Sequence, residues 1–163
     1  MEVIKEFGSI KKVKDNDNNK WGYIDHDENI IVDAKYDYLG DLQSGGFITT
    51  KRNNLWGFLK IDEKEAYVVC EPKYNYISSF KSGTATVLKD TGYNFINEEG
   101  KELFNVDFSE IVQRLPGGLA IVRKDNLFGV VCCVTGKEVY PCTYTSIQAS
   151  GKKIKLQQEF VIG

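Results

Sequence analysis

The sequence predicts an all-β protein of about four three-stranded antiparallel repeats of roughly 35 residues, stacked as a β-solenoid or twisted hairpin array. Three observations predict this. A Trp-Gly-type pair recurs at a nearly constant interval, turn-forming residues punctuate the chain, and no stretch of helical length keeps a 3.6-residue apolar period. A closed small propeller or barrel is the alternative, because closure removes exposed strand edges.

The first recurring element is Trp21-Gly22-Tyr23-Ile24-Asp25. It is answered by Trp56-Gly57-Phe58-Leu59-Lys60, Tyr93-Asn94-Phe95-Ile96-Asn97 and Phe128-Gly129-Val130-Val131-Cys132. Its second positions, Gly22, Gly57, Asn94 and Gly129, are 35, 37 and 35 residues apart. Gly and Asn adopt positive φ at least cost. The expectation is therefore a left-handed turn or bulge residue opening a strand, with the preceding aromatic on an equivalent core site in every repeat.

The second element is Tyr36-Asp37-Tyr38-Leu39, matched by Tyr74-Asn75-Tyr76-Ile77, Phe108-Ser109-Glu110-Ile111 and Tyr144-Thr145-Ser146-Ile147. Its first residue is aromatic and its fourth is Leu or Ile, which predicts two inward positions. The second is Asp, Asn, Ser or Thr, whose short polar side chains hydrogen-bond nearby backbone and close turns. The third element is a glycine before a strand: Gly46, Gly83, Gly118 and Gly151, with Gly8 entering the first repeat.

Hairpin turns fit between these elements at Asp15–Asn19, Asn53-Asn54, Lys89–Gly92 and Lys124–Asn126, and on the other side at His26–Asn29, Asp62–Lys64, Glu98–Gly100 and Thr135–Lys137. Strands of about five residues fill the intervals. The strands at Ile10–Val13 and Ile154–Leu156 are expected to cover the two ends.

The pattern resembles the WG β-repeat family, on the strength of Trp21-Gly22-Tyr23-Ile24-Asp25, Ala34-Lys35-Tyr36-Asp37 and Glu71-Pro72-Lys73-Tyr74-Asn75. The resemblance runs from about Gly8 to Leu156. It departs in the third repeat, which lacks both Trp and Gly, and in the fourth, where Phe128 replaces Trp and Cys142 stands where Pro72 stands. It implies a bacterial repeat scaffold and carries no catalytic motif.

Composition narrows the function classes. The 163 residues are expected to form a single repeat domain, with 21 basic and 23 acidic residues interspersed and a net charge of −2. No basic stripe follows a phosphate backbone, so no nucleic-acid partner is expected. No apolar run has membrane-spanning length, so no membrane partner is expected either. Met1–Gly8 lacks the apolar core of a secretory signal, which makes the expected location cytoplasmic. Cys70, Cys132, Cys133 and Cys142 show no CxxC or zinc spacing and read as free thiols packed as small apolar residues.

Chemistry-bearing patterns are sparse. The one histidine, His26, sits in a polar turn, which is poor ground for a hydrolytic triad. Asp15–Lys20 begins like a calcium loop, but the sixth and twelfth positions hold Lys20 and His26 in place of Gly and Glu. Gly45-Gly46 and Pro116-Gly117-Gly118 read as turns, with no helix start awaiting a phosphate. The expectation is a non-enzyme with no catalytic residues, cofactor or metal.

Positions that vary between repeats are free to carry specificity. The clearest is the third residue of the second element: Tyr38, Tyr76, Glu110 and Ser146. The two tyrosines would form a short aromatic ladder if stacked. Asp27 and Glu28, in the acidic turn after the first Trp-Gly strand, add a charged edge that favours a basic partner. The candidate partner-binding residues are thus Tyr38, Tyr76, Glu110, Asp27 and Glu28, and the expected partner is a protein or peptide, for which an immunity or neutralising role would suit a small acidic chain. The alternatives are a carbohydrate or cell-surface binding module and a carboxylate-based hydrolase.

Overall fold

A computed structural model describes residues 1–158. The chain divides into two compact units, Met1–Ser79 and Phe80–Gly163. Both are built from antiparallel strands, and the described residues contain no α-helix. The all-β repeat array predicted from the sequence is the fold.

The first unit holds two four-stranded sheets. One runs in the order β1 (Glu2–Phe7), β2 (Ile10–Lys14), β3 (Trp21–Asp25), β4 (Ile30–Tyr36). The other is β5 (Tyr38–Leu39), β6 (Phe47–Arg52), β7 (Leu55–Asp62), β8 (Glu65–Tyr74), and the short β9 (Tyr76–Ile77) follows it. Each sheet carries one more strand than the three per repeat expected. The extra strand is short (β5) or almost wholly exposed (β1), so neither has an apolar pattern to announce it. The core lies between successive repeats: Ile10, Tyr23, Val32 and Tyr36 of the first pack with Leu39, Ile48, Leu59 and Ile61 of the second. One repeat cannot bury this face alone, which is the physical reason for repetition.

The second unit contains the hairpin β10 (Thr84–Lys89) and β11 (Gly92–Asn97). A four-stranded sheet follows, β12 (Glu110–Leu115), β13 (Leu119–Lys124), β14 (Leu127–Cys132) and β15 (Lys137–Tyr144), and then the pair β16 (Ser146–Ser150) and β17 (Lys153–Gln157). Phe95 and Phe108 pack with Ala120, Val122, Val131 and Cys133 in its core.

The left-handed role expected at the second position of the Trp-Gly element is not found there. Gly22, Gly57 and Gly129 do not have positive φ, and neither does Asn94. They are small because a backbone crosses them. Between Trp21 and Tyr23 stands Gly22 alone, whereas the facing stretch of β4, between Tyr36 and Val32, bulges through Asp33, Ala34 and Lys35. A β-carbon on Gly22 would lie 2.6 Å from the Val32 carbonyl oxygen, on Gly57 2.3 Å from that of Cys70, and on Gly129 2.6 Å from that of Tyr140. The left-handed residues are the glycines before strands, at φ +85° for Gly46, +81° for Gly83 and +77° for Gly118.

The bulge joins the first two sequence elements. The aromatic before the glycine pairs with the aromatic that opens the second element: Trp21 with Tyr36, Trp56 with Tyr74, Phe128 with Tyr144. Even in the irregular third repeat Tyr93 pairs with Phe108. The short polar residue that follows reaches farther than its own turn. Asp37 Oδ2 accepts from the Asn53 amide at 2.8 Å, and Ser109 Oγ accepts from the Asp125 amide at 3.1 Å, so each steadies the hairpin of the next repeat. That hairpin needs left-handed residues at Asn53 and Asn54, as the Asn-Asn pair predicts.

Asn94 explains the third repeat. No strand follows β11 before β12; residues 98–109 run irregularly across it. The fully buried Asn94 side chain supplies what a facing strand would. Its Nδ2 donates to the Phe104 carbonyl at 2.9 Å and to Asp107 Oδ1 at 3.0 Å, and its Oδ1 accepts from the amides of Phe95 at 2.8 Å and Phe104 at 3.3 Å. Lys89 adds ion pairs at 2.9 Å to both Glu102 and Asp107.

Two stability outcomes follow. Gly57→Ala should cost about 2–3 kcal/mol by overpacking against backbone that cannot step aside, whereas Gly151→Asn, at φ +60° in open space, should stay within about 0.5 kcal/mol. Urea unfolding of both variants checks the contrast. Asn94→Ala should cost about 2–4 kcal/mol by stranding several buried polar partners, read the same way.

Candidate interaction surface

The local structure around Tyr38 begins with the bulge of β4. The bulge ends at Tyr36, which is buried, and the chain then steps to the next sheet at Tyr38. The Tyr38 ring therefore falls between the aromatics of two successive repeats. Trp21 lies 5.8 Å away at 59°, and Trp56 lies 5.8 Å away at 73°, giving tilted and edge-on contacts. The ladder runs Trp21, Tyr38, Trp56. Its middle ring stays 39% exposed, enough to meet a partner while its own rotation is restrained.

A lysine that the sequence reading did not single out holds this ladder from beneath. Lys12 is buried, with Nζ 5.2 Å from the centre of the Trp21 ring and 5.8 Å from that of Tyr38. It donates to the Leu39 carbonyl at 3.2 Å and to Asp41 Oδ1 at 2.6 Å. Asp41 also pairs with Lys5. These hydrogen bonds, Lys12 first and then Lys5, hold the Asp41 carboxyl below its usual range against the opposing effect of burial. Lys14 also lies over Trp21, and Lys51 lies over Trp56. Lys12 could not be found from spacing, because adjacent Lys11 and Lys12 point to opposite faces of β2 and residue type does not say which face is covered.

The other predicted residues fall in separate places. Tyr76 lies on β9 and is 49% exposed; the ring neighbours of Tyr38 are the two tryptophans. Glu110 opens β12 and pairs with Arg123 Nε at 3.1 Å, while its side chain remains half-exposed. Asp27 and Glu28 are exposed in the turn after β3. That turn is organised by Asp25, which is buried. Its carboxylate accepts from the Asp27 and Asn29 amides and from Asn29 Nδ2 at 2.8–2.9 Å, which lowers its pKa, the Asn29 side chain being the main cause. Lys64 reaches Asp25 at 3.5 Å, so the acidic turn at Asp62–Glu65 adjoins this one.

The remaining sequence candidates are occupied structurally. His26 is exposed, with Nε2 3.0 Å from the Gly8 carbonyl. In the loop that begins like a calcium site, Asp15 Oδ1 accepts from the Asp17 amide and Asn18 Oδ1 from the Lys20 amide, closing the hairpin. All four cysteines are free thiols. No helix among the described residues is long and apolar enough to cross a membrane.

Comparison with protein families matches a model described as a WG containing repeat three times in succession, over residues 21–56, 61–93 and 95–128. The matches cover more than half of the chain and begin at the first Trp-Gly pair; Phe128-Gly129, the fourth, lies at their end. Comparison with the curated proteins found no match.

The Lys12 cluster sets two expectations. Lys12→Met keeps the aliphatic stem but loses the charge and its hydrogen bonds, and should cost about 1–3 kcal/mol, seen as a lower thermal midpoint. Asp41 has a folded pKa below its unfolded value. Its contribution is therefore complete above about pH 4, the unfolded carboxylate value, and is lost as pH falls through the lower folded value. Below pH 4 the wild type should lose stability more steeply than Asp41→Asn in a pH series of urea melts; equal slopes would remove Asp41 from the account.

Proposed function

Since the chain belongs to the WG-repeat family, we propose that it is a non-enzymatic binding scaffold for a protein or peptide partner. The observation that supports this most is Tyr38, an exposed aromatic restrained between Trp21 and Trp56. A clamped ring loses little entropy on binding, which is why such residues dominate interaction surfaces. Tyr76 and Glu110 are the matching positions of later repeats, and Asp27 and Glu28 supply the charged edge that would steer a basic partner. Within this reading the compartment is the cytoplasm and the role that of an immunity-type or neutralising partner. The exposed aromatics also favour a second reading, a carbohydrate-binding module.

The test is capture of partners by the tagged protein from lysate of its source organism, with mass spectrometry of the retained material. One protein should be recovered in near-equal amount, and its affinity should fall about tenfold or more with Tyr38→Ala. Reversing charge at Asp27 and Glu28 should mainly slow association. Retention that ignores both changes, in variants that melt like the wild type, would remove this surface from the proposal; retention on glycan arrays alone would favour the second reading.

A further inference from the structure

Comparing Arg114 with Leu42 exposes a charge at a position that is aliphatic in an earlier repeat. Leu42 stands four residues before Gly46, and it packs against the core of the first unit. Arg114 stands four residues before Gly118, at the corresponding point on β12. It is half-buried, with its guanidinium carbon 5.0 Å from the centre of the Phe95 ring.

Its partners leave the charge uncompensated. Nη1 donates to Thr84 Oγ1 at a long 3.4 Å, and the guanidinium also lies against the Cys133 thiol. No carboxylate pairs with it among the described residues, whereas Arg123 has Glu110. A guanidinium offers five donors, and a partly desolvated cation without a counter-charge is costly.

The side chain lines a cavity of about 320 Å³ in the second unit, together with Lys81, Thr84 and the Pro116–Gly118 turn, and no acidic residue contributes to that lining. A β-carbon on Gly117 would meet nothing within 4 Å, so there is open space beside this turn. A second cavity of about 300 Å³ lies across the same turn. It shares Leu115, Pro116 and Gly117, and is completed by Leu119, Ala149 and Ile154 with Lys152 at the side. One turn thus separates a cationic hollow from an apolar one.

We propose that these adjoining cavities form a binding site for an amphiphilic carboxylate, whose head group pairs with Arg114 and Lys81 and whose apolar part lies against Leu119 and Ile154. The planar guanidinium matches a carboxylate bidentately. Thr84 Oγ1 accepts from Arg114 and gives its one hydrogen to the Lys81 carbonyl at a long 3.5 Å, a weak bond that a carboxylate oxygen can replace. Two sources supply this chemistry, a free fatty acid and a peptide ending in an apolar residue.

The experiment is a nuclear magnetic resonance titration of the full chain with acetate, octanoate and N-acetylleucine at constant ionic strength, following the Gly117 and Gly118 amides and the Arg114 side chain. Octanoate or N-acetylleucine should saturate these shifts at a concentration at least tenfold below acetate, since each buried methylene strengthens binding several-fold. Preference for octanoate identifies the fatty-acid source and preference for N-acetylleucine the peptide end. Arg114→Leu, which places the residue type of Leu42 there, should abolish saturation, and Lys81→Gln, on an exposed loop, should weaken it several-fold. Linear shifts for all three probes, no gain over acetate, or saturation unchanged in both variants would overturn the proposal.

Discussion

The structure depends on a close approach of two backbones. In three of the four repeats the strand after the Trp-Gly strand bulges directly over the glycine, bringing a carbonyl oxygen to where a side chain would begin. Everything downstream follows from that crossing. The bulge shifts the register so that the two aromatics flanking it become cross-strand partners. It also ends the sheet, because two residues later the chain is already pairing with the next hairpin. The buried Tyr36 or Tyr74 and the exposed Tyr38 or Tyr76 thus lie on opposite sides of a single-residue step.

The third repeat shows what replaces this crossing when the glycine is lost. An asparagine side chain has the same donor and acceptor as a peptide group, and Asn94 uses both on the irregular segment that lies over β11. Aromatic packing fills the rest: Phe104 sits edge-on to Phe95 and to Phe108, at 6.0 and 5.4 Å. Asp107 is drawn in by Thr91, Lys89 and Asn94, whose hydrogen bonds outweigh the effect of its burial and lower its pKa. The repeat keeps its aromatic pair while giving up a strand.

Much of the fold was legible in the sequence, because spacing alone reveals a repeat. The aromatic positions, the inward Leu39 and Ile77, the Asn53-Asn54 hairpin and the end strand near Ile154 all follow from residue type and interval. The role of the Trp-Gly glycine was not legible. A glycine needed for positive φ and one needed for space look identical in sequence, and only the facing bulge separates them. Strand β1 escaped because its side chains are mostly exposed and leave no apolar alternation. At the candidate surface, Tyr38 was singled out by its variability between repeats, but Lys12, which lies against its ring, was not. A buried cation has no spacing signature; its meaning comes from rings and carboxylates brought to it by the fold.

The aromatic ladder has an optical consequence. Both tryptophans of the chain, Trp21 and Trp56, belong to the unit Met1–Ser79, and each has a lysine over its ring. The unit that begins at Phe80 has none, while it carries three of the four thiols, Cys132, Cys133 and Cys142. Indole emission therefore reports on one half of the molecule and thiol labelling largely on the other. Two native probes, with no engineered label, can time the loosening of each half separately.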